Sequence, residues 1–248
     1  MISCAVVVPS APLLVPRLVP GSRLGDEVRA AAVTAAARLP ERWIAVGAGE
    51  GRVEADRVGT FRALGVDVVA ALSAWEPSEL SGPSDTGSGE GKPEDLPLPV
   101  LIAAWLREQV GARSVRARLV AADAAPGACA AFGAELAADA EVADPTTEYG
   151  LLVLGDGSAR RDTAPRGDAH EGAEPFDTAV AAALAEADLA ALADLDPAVA
   201  VDQRAEGRAP WQALAGFALA TGRSWRGELL YSGAPRGVGY HVAIWSGS

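Results

Sequence analysis

Short apolar runs rich in β-branched residues alternate with alanine-rich stretches along this chain, and that alternation restricts its fold more than any other feature. The runs lie at 2–8, 43–46, 66–70, 115–120 and 151–154, each bounded by Gly, Pro or charged residues. A strand that is apolar on both faces must be covered on both faces. Between these runs, 23–39, 97–110 and 129–140 read as helices, with Ser22 a candidate cap for the first and Pro40 just past its end. Segments 229–231 and 240–245 read as closing strands around the turn at 233–237. The pattern predicts a three-layer α/β/α fold with a central mixed sheet.

With 248 residues, 50% of them hydrophobic, the chain can bury a full core, and we expect a single domain over 1–248. Between about 77 and 97 the composition changes to Ser, Gly, Pro, Asp and Glu, which predicts a flexible surface loop rather than a domain boundary. Acidic residues number 33 against 21 basic ones, a formal charge of -12. A charge of that sign repels nucleic-acid phosphates and anionic membrane surfaces, so neither is an expected partner. Cys4 and Cys129 show no paired spacing and read as small buried hydrophobes, which suits a reducing cytoplasm. No run reaches the roughly 18 apolar residues a membrane span needs, and the N-terminus has no basic leader.

The loop after the run at 151–154 carries Asp156, Ser158, Arg160 and Arg161 to the end of a strand, where ligands bind in α/β sheets. A nucleophile elbow would need glycines two residues either side of Ser158, and those positions hold Asp156 and Arg160. The cluster Gly47-Ala48-Gly49-Glu50-Gly51 follows another strand, but its spacing fits neither dinucleotide nor P-loop patterns, and Glu50 would repel a phosphate. Of two histidines, His241 lies in a strand with Ala243 and Trp245 on its own face and reads as core. His170 lies in a polar loop beside Asp168, Glu171 and Glu174, the better candidate for proton transfer.

Four segments, taken in order, resemble the class III extradiol dioxygenase B-subunit superfamily, the LigB-like proteins, to which the Memo-like proteins are related. Val8-Pro9-Ser10-Ala11-Pro12-Leu13-Leu14 is similar to the family's opening strand and its P-H-P-P-L-L turn. Trp43-Ile44-Ala45-Val46-Gly47-Ala48-Gly49 resembles the strand ending in S-P-H. Gly155–Arg160 with Pro175-Phe176-Asp177 resembles G-D-L-S-H and the F-D helix. Glu206-Gly207-Arg208-Ala209-Pro210-Trp211 and Gly237-Val238-Gly239-Tyr240 resemble the last helix start and the closing strand. The resemblance implies a LigB-like fold and, for active members, iron(II) held by two histidines and a later carboxylate or cysteine, with a third histidine as acid/base. Here those histidine positions hold Ser10, Gly49 and Ala159, and Glu206 alone stands in for a ligand.

The resemblance therefore implies a protein with a dismantled iron site and a pocket for a small molecule or partner, lined by Ser10, Gly49, Glu50, Ser158, Ala159, Arg160 and Arg161. Three alternatives stay open. One is an acid/base enzyme rebuilt around Asp156, His170 and Glu206, with Arg160 and Arg161 holding an anionic substrate. Another is an active iron(II) dioxygenase with ligands supplied by His170 and His241. The last is an oligomer subunit: six tryptophans would mark an interface if exposed, although Trp43, Trp105 and Trp245 read as core. On the dismantled-site reading, Ala159→His alone leaves oxygen uptake with catechol and added iron(II) at background, because Ser10 and Gly49 still supply no imidazole. Turnover by that single variant, followed with an oxygen electrode, would refute the reading.

Overall fold

Every residue from Gly150 to Leu154 is buried, as expected of a strand with helices on both sides. The structure is a computed structural model, and it describes residues 2–21, 23–74, 93–143, 147–162 and 168–248. In chain order the strands are β1 (Ile2–Val8), β2 (Arg42–Ala48), β3 (Arg52–Val53), β4 (Val58–Thr60), β5 (Val69–Ala71), β6 (Ser114–Val120), β7 (Tyr149–Leu154), β8 (Trp225–Gly233) and β9 (Tyr240–Gly247). The helices are α1 (Asp26–Ala36), α2 (Leu98–Val110), α3 (Pro126–Ala143), α4 (Ala173–Glu186), α5 (Leu189–Ala193), α6 (Pro197–Gln203) and α7 (Arg208–Ala220).

Seven strands form one mixed sheet in the order β3-β6-β2-β7-β1-β9-β8. The inner four are parallel, while β3 at one edge and the β8–β9 hairpin at the other run antiparallel. Alternate side chains of each strand enter opposite cores. Val6, Val8, Ala45, Leu152 and Leu154 pack with α1 and α2, and Val7, Ile44, Val46, Leu151 and Val153 pack with α3, α4 and α7. Trp43, Trp105 and Trp245 are all buried, so none of these three marks an interface. Among the described residues no helix is long and apolar enough to cross a membrane.

Several sequence expectations shift. The strand expected at 66–70 is only β5, from Val69, and it pairs with β4 in a separate two-stranded sheet. Asp67 is held by an ion pair to Arg62 and Val66 donates to the Phe61 carbonyl, so the run folds back instead of joining the main sheet. The first helix begins at Asp26, with Gly25 at its N-cap against the Leu13 backbone, and Ser22 lies outside the described residues. The third begins earlier than expected, because Pro126 fits the first turn, where no N–H is needed. Of the expected loop, 77–92 lie outside the described residues. Residues 93–97 are anchored: Glu94 exchanges backbone hydrogen bonds with Val58 and Thr60 and pairs with Arg57.

Helices α3 and α7 approach so closely that glycine is needed on both. A Cβ on Gly133 would lie 2.1 Å from the Ala213 carbonyl oxygen, and one on Gly216 would lie 2.5 Å from that of Ala130. Neither backbone can yield without separating the helices. Gly133→Ala should therefore lower unfolding free energy by about 2–4 kcal/mol in urea titrations. Gly127→Ala on the same helix, where a Cβ meets nothing within 4 Å, should stay within about 0.5 kcal/mol of wild type.

Candidate functional site

The order β2-β7-β1 sets three parallel carboxyl ends side by side, and the loops that follow deliver Gly49, Asp156 and Ser10. The Gly155 N–H donates to the Val8 carbonyl (3.0 Å), which ties the loop after β7 to β1. A Cβ on Gly155 would come 2.5 Å from Gly207 Cα, and the Gly207 N–H donates to the Asp156 carbonyl (2.8 Å). These contacts place the start of α7, with Glu206 just before it, against the end of β7.

Asp156 is the chemical centre of this group. Its Oδ1 accepts the Ser10 backbone N–H at 2.8 Å. Burial raises its pKa from 3.8 to about 7; the Ser10 hydrogen bond opposes that shift and the Glu206 carboxylate adds to it. The Tyr240 hydroxyl, at the start of β9, is pushed well above its ordinary value by burial and then by the Asp156 charge. Near neutral pH Asp156 is thus divided between a donor and an acceptor form. It can hydrogen-bond a polar ligand in either role or exchange a proton with it.

A second group holds the rest of the loop. Asp177 on α4 is buried, and its Oδ1 accepts the Ser158 N–H at 2.8 Å. Arg161 Nη1 lies 3.6 Å from Asp177 Oδ2, and His241 Nε2 lies 3.7 Å from Oδ1. Gly157 donates to the Gly239 carbonyl and Gly239 to that of Ser158, both at 2.7 Å, so the loop is laced to the start of β9.

The other residues singled out from the sequence divide among these groups. Ser158 is fully buried, with its hydroxyl 3.1 Å from Gln203 Oε1, so it is a support for the loop rather than a pocket wall. The Ala159 N–H donates to the Gln203 carbonyl. Arg160 is paired with Asp202 (3.0 Å) and Arg161 with Asp177 and Glu174, so neither guanidinium stands ready for an anionic substrate. His170 Nδ1 accepts from the Gly172 N–H and lies 2.9 Å from Gln203 Nε2, while its Nε2 is 3.5 Å from Asp202. Its bonding partners belong to its own loop and α6, and those of Asp156 are Ser10, just after β1, and Gly207, just before α7. Glu50 and Glu206 are exposed, Gly49 is half-buried and Ser10 is buried.

The iron(II) centre that the resemblance implies would be held at Ser10, Gly49 and Glu206, and these residues do not fit it. They offer one hydroxyl, one exposed carboxylate and no side chain at Gly49. Gly49 has φ 146°, a conformation L-residues rarely adopt, and a Cβ there would sit 3.1 Å from Leu119. A histidine could not take that place without moving the backbone. Among the described residues no three His, Cys, Asp or Glu side chains converge as metal ligands.

Sequence reasoning missed Asp177, Gln203 and Tyr240 as site-forming residues and took His241 as core or, in the dioxygenase alternative, as an iron ligand. The one available signal was that Asp177 and Tyr240 belong to two segments of the resemblance, F-D and G-V-G-Y, with His241 directly after the second.

No protein-family model matches the sequence, and no curated protein matches it. Among solved structures the chain is similar to the uncharacterized protein JW3007 from Escherichia coli K12, with a TM-score of 0.54 at 13% identity, over 99% of this chain and all of that one. At that identity the likeness concerns the fold alone.

The raised pKa of Asp156 makes stability pH-dependent with a definite sign. The unfolded carboxyl ionises near 3.8 and the folded one near 7, so any advantage of the neutral form is intact below about pH 4 and lost as pH rises through 7. Asp156→Asn keeps the Ser10 hydrogen bond and cannot ionise. It should match wild type near pH 4 and exceed it above pH 8 by a few kcal/mol, on the order of 2–4, in urea melts at both pH values. Parallel pH profiles for the two proteins would show that Asp156 titrates normally.

Proposed function

We propose that this chain is a LigB-like protein whose carboxyl-end site binds a small polar molecule without opening an aromatic ring. The observation that carries the reading is Asp156: a carboxyl with a pKa near 7, hydrogen-bonded to Ser10 and flanked by Glu206 and Tyr240. It stands at the strand ends where open α/β sheets take their ligands. The positions that the resemblance assigns to histidine ligands and acid/base histidine hold Ser10, Gly49 and Ala159 around it. Affinity at such a site would come from hydrogen bonds to Asp156 in either protonation state and from the Tyr240 hydroxyl.

The same carboxyl favours a second reading, an acid/base enzyme in which Asp156 and Glu206 share the proton traffic. A carboxyl poised near 7 suits transfer at neutral pH, and a neighbouring carboxylate helps to hold it there. His170 takes no part in this version, because its bonds run to Gln203, Asp202 and Gly172.

Catechol is the natural probe, since the resemblance is to enzymes that open catechols. Purified protein incubated with iron(II) should retain no stoichiometric metal after desalting and consume no oxygen with catechol. Heteronuclear NMR titration should nevertheless report reversible binding, weakened about tenfold or more in Asp156→Ala. One chelatable iron per chain together with oxygen uptake would overturn the reading. Conversion of catechol or a related compound without metal, lost in Asp156→Asn, would instead select the acid/base enzyme.

A further inference from the structure

Strand β6 carries arginine at 116 and 118, where its neighbour β2 carries Ile44 and Val46 in register. Residues paired in this way share a face, and Ile44 and Val46 pack with α3, so both arginines lie on that side of the sheet. At the same edge β3 sets Arg52 directly opposite Arg118. Three guanidinium groups thus gather there, and with Glu54 and Asp139 of α3 they wall a cavity of about 270 Å³. Ile44 and Leu136 line the same cavity, which shares no residue with the Asp156 site.

Cations directly opposite one another on paired strands repel, so this arrangement calls for negative charge beside it. Part of that charge is built in: Arg118 Nη1 lies 2.5 Å from Asp139 Oδ2, and its guanidinium carbon stands 5.6 Å from the centre of the Phe132 ring. The guanidinium carbon of Arg116 stands 4.9 Å from the centre of the Tyr149 ring. A ring face restrains a guanidinium without neutralising it, so Arg116 is held in place with its charge unmet. Among the described residues neither Arg52 nor Arg116 has an ion pair or a side-chain hydrogen bond. Three guanidiniums against two carboxylates leave the wall with a formal charge of +1, in a chain whose net charge is -12.

We infer that this cavity binds the carboxylate of a small organic acid between Arg52 and Arg116, with the apolar part of the acid toward Ile44 and Leu136. A monoanion matches a wall charge of +1, and a planar carboxylate matches the fork of N–H donors on a guanidinium. Inorganic phosphate fits less well, because it carries more than one negative charge near neutral pH and brings the excess against Glu54 and Asp139. The two aliphatic side chains favour an acid with a hydrocarbon body over a bare inorganic ion.

The experiment is heteronuclear NMR titration of the full chain with sodium benzoate at constant ionic strength, against benzamide and inorganic phosphate. Benzoate should bind saturably with about millimolar affinity and shift the amide signals of β3 and β6. Benzamide, which has the same shape and no charge, should not bind, and phosphate should bind at least about fivefold more weakly. Arg116→Gln should weaken benzoate binding about tenfold or more, and Arg116→Lys, which keeps the charge but loses the planar fork, at least about threefold. Arg52 is exposed on a two-residue strand, so Arg52→Gln keeps the fold and should also weaken binding about tenfold. Glu54→Gln should tighten it about threefold, since it removes a carboxylate from the wall. Arg226→Gln, on β8 at the opposite edge of the sheet, should leave it unchanged although it alters the net charge equally. Absence of saturable benzoate binding, as expected if water alone meets these arginines, would overturn the inference. So would equal binding of benzamide or phosphate, full affinity in Arg52→Gln, or an equal loss in Arg226→Gln. Catechol binding at Asp156 can succeed or fail independently of all these outcomes.

Discussion

The buried carboxylate of Asp177 is the interaction on which the functional end of this protein depends. It projects from α4 into a space that Gly157 and Gly239 leave open: a Cβ on Gly157 would lie 2.4 Å from Oδ1, and one on Gly239 2.1 Å from Oδ2. There it accepts the Ser158 N–H and draws in Arg161, so a single side chain holds the loop at two points three residues apart. Burying a charge is tolerated only where hydrogen bonds and a counter-charge offset the lost hydration. Removing one partner of such a group typically costs about 3–5 kcal/mol, which makes the loop a rigid extension of the sheet.

That rigidity in turn sets the electrostatics at Asp156. With the loop laced to β9 and the start of α7 pressed against Gly155, the Asp156 side chain is half-buried, and among the described residues its carboxyl accepts one hydrogen bond, from the Ser10 N–H. A second or third donor would have held its pKa low. The Glu206 carboxylate nearby works in the opposite direction. A carboxyl poised near neutrality is therefore a product of geometry at three strand ends and one helix start, and no single neighbour accounts for it.

The fold was legible in the chain to the extent that its signals were local. The runs of β1, β2 and β7 are largely apolar on both faces, and a strand of that kind has few places to go except the middle of a helix-covered sheet. The run before Ala71 was misread because its fate depends on Arg62 holding Asp67 and on Phe61 folding back, contacts that periodicity does not encode. Helix ends moved for similar reasons: Gly25 starts α1 because the Leu13 backbone leaves no room for a side chain. The candidate site was partly legible. Asp156 and Ser10 stood out through motif resemblance, but Ser158 and His170 are committed to Gln203, a residue more than 30 positions away whose role has no sequence signature.

By itself the sequence determined the class of fold, through apolar runs that demand two-sided cover, and the poverty of imidazole at the strand ends, since Ser10, Gly49 and Ala159 are fixed by their identity. It also determined a net charge of -12, because charge is additive along a chain. Only the tertiary structure decided that Asp156 meets Ser10, 146 positions away, and that Asp177 meets Ser158, Arg161 and His241. Desolvation and pairing of charge depend on which groups share a dry space, and that is settled by packing between distant segments rather than by any pattern along the chain.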